Sequence, residues 1–169
     1  MLRVLITGHL GFVGTETKKY FEDKGLEVDG FDIMEGGNDI RDIEKLRSVI
    51  SSKRPDRILH LAAIARFAEA DANQILADET NVRGTENVAK VAGEYNIPVV
   101  YASTGSVYMP IKGVPPITEE FAATGNSEYG TDKRKGELYI QKYAHPWMIL
   151  RYAHLYGKEK RYHGLIGGF

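Results

Sequence analysis

The chain has 169 residues and a mass of 18.9 kDa, which suits one domain with a substantial hydrophobic core. A hydrophobic fraction of 43% and a charged fraction of 27% exclude a collagen-like or low-complexity chain. The net charge of -1 offers no electrostatic reason for binding nucleic acid or a membrane, and the absence of cysteine excludes disulfides and thiolate zinc sites. No apolar run approaches the roughly 18 residues of a membrane span. We therefore expect a soluble cytoplasmic protein.

Short apolar runs alternate along the chain with segments of helical periodicity. In chain order, the pattern predicts strands over 4–6, 26–32, 57–62, 97–102 and 147–151, and helices over 12–24, 42–53, 80–95 and 128–143. Asp42 is predicted to cap the second helix, and the proline-rich segment 110–118 is expected to be a loop. Strands that alternate with helices form right-handed βαβ units. The predicted fold class is therefore α/β, with a doubly wound parallel sheet of Rossmann type.

A glycine-rich loop lies between the first predicted strand and the first predicted helix. Its sequence over 7–14 is TGHLGFVG. Gly8 permits the tight turn, Gly11 lets the backbone approach a pyrophosphate, and Gly14 lets helix and strand pack closely. The N-terminus of the helix then offers free N–H groups to phosphates. Three glycines in a turn can also be purely structural, and the motif alone leaves both interpretations open.

A carboxylate ends the second predicted strand. Asp32 at this place can accept hydrogen bonds from both hydroxyls of an adenosine ribose, and it would repel a 2′-phosphate. Neither Arg nor Lys follows over 33–35, so the combination favours NAD over NADP. The alternative is a solvated turn aspartate, which the preceding glycine loop disfavours.

A tyrosine and a lysine stand four residues apart on the last predicted helix. Tyr129 and Lys133 therefore share one helix face. A nearby cation stabilises a phenolate, lowers the pKa of the tyrosine and makes it a usable general acid or base. The same spacing is common by chance, and the alternative interpretation is a solvent-exposed pair.

With these features on view, the chain resembles the extended short-chain dehydrogenase/reductases, in particular the epimerase/dehydratase group that is similar to UDP-glucose 4-epimerase. The matches cover nearly the whole chain and lie, in order, at 7–14, 32, 39–42, 60–63, 81–85, 103–108, 129–133 and 150–157. The resemblance implies an NAD-dependent epimerase that moves hydride from a sugar carbon to tightly bound NAD and back. It also implies a nucleotide-sugar substrate, UDP-linked, and a homodimer formed through the helices that begin near 81 and 129.

The resemblance also implies roles for individual residues. The cofactor-binding residues it implies are Gly8, Gly11, Phe12, Val13, Gly14, Asp32, Asp39, Ile40, Leu61, Ala62, Ala63, Tyr129, Lys133 and Tyr152, with Asp39 and Ile40 at the adenine. The catalytic residues it implies are Thr104, Tyr129, Lys133 and Asn81, and the substrate contacts are Thr104 and His154. Tyr129 would move the proton, Thr104 would bond the reacting oxygen, and Lys133 would hold the nicotinamide ribose. Asn81 corresponds to a residue that is usually structural or water-positioning, and a plain helix-start role is the alternative.

Several residues depart from the family pattern. Met109 replaces a glycine, and His154 stands where many relatives place a nucleotide-contacting asparagine, with a buried strand-end histidine as the alternative. Gly105 and Ser106 occupy the place of the acidic pair of sugar 4,6-dehydratases, which ranks a dehydratase below an epimerase. The histidines form no recognisable ligand spacing, so no metal is expected. For His9, in the glycine loop, the backbone is expected to matter more than the ring.

Members of the family continue past residue 157 into a smaller domain. We therefore expect 1–169 to be an NAD-binding domain whose C-terminal substrate domain is largely absent, with 157–169 as the start of that region. Such a chain is either a fragment or naturally short, and we expect it to bind NAD but to turn over sugar poorly. The alternatives left open are a non-catalytic NAD-binding module, a partner-binding domain, and a dehydratase, decarboxylase or reductase of the same family.

Overall fold

Five strands and five α-helices are formed by the described residues of the computed structural model, which are 1–64, 73–108, 117–121, 123–125, 127–153 and 155. The strands are β1 (Arg3–Thr7), β2 (Glu27–Phe31), β3 (Arg57–His60), β4 (Val99–Thr104) and β5 (Trp147–Tyr152). The helices are α1 (Phe12–Asp23), α2 (Ile43–Lys53), α3 (Gln74–Asp78), α4 (Thr85–Glu94) and α5 (Glu128–Tyr143). A π-helical turn, Glu79–Gly84, joins α3 to α4, and a 3-10 turn, Gly105–Val107, follows β4.

The strands form one parallel sheet in the order β2-β1-β3-β4-β5. The chain order reverses between β1 and β3, since β2 lies on one side of β1 and all later strands lie on the other. In doubly wound sheets, ligands bind at the carboxyl ends of the strands beside such a reversal. The predicted fold class is confirmed, and the topology places a crevice next to the loop that follows β1.

Apolar side chains cover both faces of the sheet, which is why the strands read as continuous hydrophobic runs. On one face, Leu5 and Phe31 belong to a large buried cluster that includes residues of α2, α4 and α5. On the other face, Val4 and Ile6 form a smaller cluster, against which Phe21 of α1 packs. The sheet is thus held between two helical layers, and its carboxyl edge is fixed from both sides.

The structure agrees with most of the predicted elements and changes one of them. Asp42 caps α2, because its carboxylate accepts a hydrogen bond from the Lys45 backbone N–H at 2.9 Å. The helix predicted over 80–95 begins earlier, at Gln74, because the side chain of Asn73 caps it, and the π-helical turn interrupts it. Most of the predicted loop 110–118 lies outside the described residues. Across the described part of the chain, no helix combines the length and apolar character of a membrane span.

Candidate functional site

The loop after β1 is shaped by its glycines. Gly8 has φ +73°, and a Cβ there would lie 2.7 Å from the Ala62 backbone nitrogen. A Cβ on Gly14 would overlap the Gly8 carbonyl oxygen. Gly11 is exposed and is the N-cap of α1, and as a glycine it has no side chain with which to cap the first turn, which Phe12 and Val13 begin. The loop therefore places the N-terminus of α1 at the carboxyl edge of the sheet, and backbone N–H groups at a helix N-terminus are suited to binding phosphates.

The segment that follows β3 lies directly against this loop. The Leu61 N–H donates to the Thr7 carbonyl oxygen at 3.1 Å, and the Ala62 N–H donates to the Thr7 hydroxyl at 3.3 Å. Leu61, Ala62 and Ala63 are half-buried. These contacts place the predicted lining residues at the carboxyl edge, beside the glycine loop.

Asp32 is positioned at the end of β2 by two backbone hydrogen bonds. Its Oδ2 accepts from the Leu10 N–H and its Oδ1 accepts from the Met34 N–H, each at 3.0 Å. The residue is only 8% exposed, so the alternative of a solvated turn aspartate is wrong. An ionised carboxylate has about four acceptor positions, and the described residues occupy two of them, so Asp32 can accept further hydrogen bonds.

Asp39 and Ile40, predicted to lie at the adenine, are tied into the fold. The Arg41 guanidinium donates from Nε to Asp39 Oδ2 at 2.9 Å, and this hydrogen bond lowers the pKa of the Asp39 carboxyl. The Ile40 side chain is 4% exposed, and a Cβ on Gly84 would overlap it. An adenine contact by these two residues stays a prediction, and for Ile40 it would fall to the backbone.

Lys133 is buried on α5 above β4. Its side chain is 2% exposed, and its Nζ lies 4.2 Å from the centroid of the Tyr101 ring. Burial lowers the pKa of Lys133 to about 7, although the nearby Glu137 carboxylate acts to raise it. A lysine in this environment is not half of a solvent-exposed pair, so that alternative is wrong. A lysine pKa that desolvation lowers to near working pH is a common property of active sites.

The N-terminal end of α5 packs on the 3-10 turn that follows Thr104. A Cβ on Gly130 would overlap the Ser106 carbonyl oxygen, so the helix approaches this turn closely. Gly130 is the neighbour of Tyr129, which is half-buried in the first turn of α5. The structure thus brings Thr104, Tyr129 and Lys133 to the same edge of the sheet.

Thr104 ends β4 with its hydroxyl facing the turn. Its Oγ1 accepts a hydrogen bond from the Ser106 N–H at 3.1 Å and caps the 3-10 turn. Tyr152 is paired with Thr104 in the parallel register of β4 and β5. Burial raises the pKa of the half-buried Tyr152 phenol. Both predicted site residues therefore end neighbouring strands.

Asn81 lies inside the π-helical turn and is 1% exposed. Its Oδ1 accepts from the Ile64 N–H at 2.8 Å, and its Nδ2 donates to the Ile64 carbonyl at 3.1 Å. The helical run has already begun at Gln74, so the alternative of a helix-start residue is wrong. The side chain holds the segment after β3 in place, and a π-helical turn is often found at a functional site.

A buried ionic network beneath the site was missed by the sequence analysis. Glu137 is fully buried on α5 and accepts hydrogen bonds from Ser103 at 2.6 Å, Arg134 at 2.7 Å and Arg151 at 2.8 Å. Burial alone would raise the pKa of Glu137, but the hydrogen bonds from these donors outweigh it and lower the pKa. The spacing of four residues from Lys133 is the signal that could have identified Glu137.

A second buried polar group was also missed. His60 lies between two threonines, with Nδ1 2.6 Å from the Thr7 hydroxyl and Nε2 3.0 Å from the Thr85 hydroxyl. Its ring stacks on Tyr101 with the centroids 5.3 Å apart. Burial, and then the Lys133 charge, lowers the pKa of His60 to about 3. His60 is therefore neutral and supports the crevice from below.

Two residues named in the sequence analysis, Met109 and His154, lie outside the described residues. The substrate contact expected for His154 stays a prediction.

Comparisons with known proteins identify the family and the relatives of the chain. The family model described as "RmlD substrate binding domain" matches residues 2–164. Among curated proteins, the chain is 28% identical to a putative UDP-glucose 4-epimerase of Methanocaldococcus jannaschii, over 97% of this chain and 59% of that protein.

Two solved structures are similar to the fold as a whole. One is a dTDP-4-dehydrorhamnose reductase of Bacillus anthracis in complex with NADP, with 29% identity and a TM-score of 0.83 over 94% of this chain and 56% of that chain. The other is the UDP-glucose 4-epimerase of Thermus thermophilus in complex with NAD, with 27% identity and a TM-score of 0.81 over 89% and 54%. The chain spans little more than half the length of these relatives.

Proposed function

Because the chain belongs to the extended short-chain dehydrogenase/reductases, we propose that it is the cofactor-binding part of a nicotinamide-dependent enzyme that modifies a nucleotide sugar in the cytoplasm. The observation that carries the proposal is Lys133, a buried lysine four residues after Tyr129 at the edge of the sheet where the glycine loop and Thr104 lie. Burying the charge of a lysine is unfavourable, and the Tyr101 ring and the Glu137 carboxylate near Lys133 offset only part of that cost, which a role in binding cofactor or substrate would explain.

The residues present fit a dinucleotide. Gly8 and Gly11 leave the backbone open at the N-terminus of α1, where the pyrophosphate would bind. Asp32 retains acceptor positions for the adenosine ribose, and Lys133 would hold the nicotinamide ribose. When bound, the nicotinamide supplies a reversible hydride acceptor.

The chain's own residues would handle the proton. Tyr129, as a phenolate, accepts the proton of a sugar hydroxyl while the carbon of that group gives up hydride. The charged Lys133 lowers the pKa of this phenol, and the Thr104 hydroxyl donates a hydrogen bond to the reacting oxygen. In the return step the bound keto sugar would present its other face, so that the hydride returns to the opposite side of the same carbon while Tyr129 gives the proton back to the sugar oxygen.

Within this chemistry, we propose an NAD-dependent epimerase acting on a UDP-linked sugar. Asp32 supports NAD, and Gly105 and Ser106 supply no carboxylic acid with which a dehydratase would expel water. The second candidate is a reductase of a nucleotide keto sugar, which is favoured by the family model over 2–164 and by the similarity to the Bacillus anthracis reductase.

The first test is made on the purified chain of 169 residues. We expect denaturation to release NAD(H), or titration to show binding of NAD⁺, while a panel of UDP-, GDP- and dTDP-sugars changes the absorbance at 340 nm weakly or not at all. A strong sugar-dependent change would identify the sugar class and would contradict the expectation that this chain alone is a poor catalyst. A protein that binds no dinucleotide would overturn the proposed function.

We also propose that the protein is a homodimer that pairs α4 and α5 with those of a second copy. Leu138 on α5 is 50% exposed, and apolar side chains of this kind are covered in symmetric interfaces. Light scattering should show a dimer that Leu138→Glu converts to a monomer, while Tyr20→Glu on α1, at a 59% exposed position, leaves it unchanged. A monomeric wild-type chain would contradict the proposal.

A further inference from the structure

The ring of His9 is buried beside β2, although the sequence analysis expected its backbone to matter more than its ring. His9 is 2% exposed, and a Cβ on Gly30 would overlap its ring. A glycine inside a strand weakens the strand and often marks the close approach of another group. At Gly30 that group is the His9 imidazole, and the absence of a side chain on Gly30 leaves the space that the ring occupies.

The imidazole holds a carboxylate of the turn that follows β2. His9 Nε2 lies 3.1 Å from Glu35 Oε2, and the Glu35 N–H donates to the Asp32 carbonyl oxygen at 2.9 Å. The carboxylate of Asp32 is bonded to the next residue of the glycine loop, through the Leu10 N–H. Two carboxylates are therefore fixed to consecutive residues of one loop.

The segment that carries these two carboxylates contains no lysine or arginine of its own. No Arg or Lys occurs between Asp32 and Asp39, and the next cation, Arg41, is bonded to Asp39. The Glu35 side chain is 61% exposed, so its free oxygen faces solvent at the end of β2. A further anion at this place would meet two negative charges.

We infer that Glu35, held by His9, is a specificity-determining residue that acts with Asp32 to exclude a 2′-phosphate from the adenosine ribose. This inference rests on the proposed function, in which Asp32 binds that ribose. Repulsion by Asp32 alone would be weakened by its two backbone hydrogen bonds, which already stabilise its charge. Glu35 adds a second negative charge, and its contact with His9 holds the carboxylate beside the glycine loop.

The inference is tested by measuring the dissociation constants of NAD⁺ and NADP⁺ by calorimetry. The wild-type chain should prefer NAD⁺. Glu35→Gln should tighten NADP⁺ binding by about 5- to 10-fold, while NAD⁺ binding changes less than about twofold. Glu22→Gln removes a negative charge from the last turn of α1, and it should leave the ratio of the NADP⁺ and NAD⁺ dissociation constants unchanged.

Two further measurements separate electrostatic exclusion from a structural role. Added salt should narrow the preference for NAD⁺ in the wild-type chain more than in Glu35→Gln, because it screens the repulsion. His9→Phe keeps a ring against Gly30 but releases Glu35, so Glu35→Gln should have a smaller effect in that background. An unchanged ratio of the two dissociation constants in Glu35→Gln, or equal weakening of both cofactors, would overturn the inference alone. A wild-type preference for NADP⁺ would overturn the inference together with the proposed dependence on NAD. A wild-type chain that binds neither dinucleotide would overturn the proposed function as well.

Discussion

Replacing Arg151 by methionine is expected to lower the free energy of unfolding by about 3 kcal/mol at neutral pH. Arg151 donates to both oxygens of the fully buried Glu137, and its Nη1 also donates to the Tyr108 hydroxyl at 2.8 Å. Without it, a buried carboxylate keeps hydrogen bonds only from Ser103 and Arg134 among the described residues. An incompletely paired buried charge is strongly destabilising, and chemical denaturation measures the loss.

The pH dependence identifies the cause of that loss. The pKa of Glu137 is lowered in the folded chain, so its ionised form contributes stability above its ordinary pKa and loses it as pH falls through the folded pKa. The difference in free energy of unfolding between wild type and Arg151→Met should therefore be largest near pH 7, and it should shrink below about pH 4.5. Adding Glu137→Gln should recover part of the loss at neutral pH. The exposed Arg57→Met serves as control, and a loss under about 1 kcal/mol that is independent of pH would contradict the explanation.

Replacing Lys133 by methionine should stabilise the fold and impair binding of the cofactor. The variant keeps an unbranched side chain of similar length over Tyr101 and removes a buried charge. We expect the free energy of unfolding at pH 6 to rise by about 1–3 kcal/mol, since each unit of pKa shift corresponds to about 1.4 kcal/mol and lost contacts offset part of the gain. Affinity for NAD⁺ should fall about 10- to 100-fold, the value of a hydrogen bond from a charged donor.

The sign of the pH dependence follows from the lowered pKa of Lys133, about 7 in the folded chain against an ordinary 10.5. Between these values the unfolded chain binds the proton and the folded chain does not, so wild-type stability gains with rising pH. The excess in free energy of unfolding of Lys133→Met over wild type should therefore shrink from pH 7 towards pH 10. Lys135→Met, at an exposed position of the same helix, is the matched control. A variant that is less stable than wild type at pH 6, by an amount that does not vary with pH, would refute this account.

The fold was largely predictable because its signals are local. A buried parallel strand appears as a short apolar run, and Asp42 caps α2 through a side chain three residues from its donor. The residues at the carboxyl edge were predictable for a related reason, since the parallel topology alone brings the ends of β1, β3 and β4 together.

The contacts that the sequence did not disclose join residues far apart in the chain. Glu137 meets Ser103 from 34 positions away, and His60 meets Thr7 from 53. No periodicity records such pairs, since each partner taken alone is a common polar residue. The burial of the His9 ring was missed for the same reason, because the glycine that makes room for it, Gly30, lies on β2 and not in the loop that holds His9.

The π-helical turn between α3 and α4 sets how far α3 is rotated about the helix axis relative to α4. Successive residues of an α-helix are about 100° apart around its axis, so one residue more or less turns the preceding segment by that angle. Deleting a single residue from 82–84 would leave a longer, regular helix, yet it would turn Gln74 away from its hydrogen-bond partner Glu128. It would also turn Asn81 away from Ile64, because Asn81 precedes the deletion. The π-helical turn therefore sets the rotation of α3 relative to α4, so that each of the two helices directs its side chains at its own contacts.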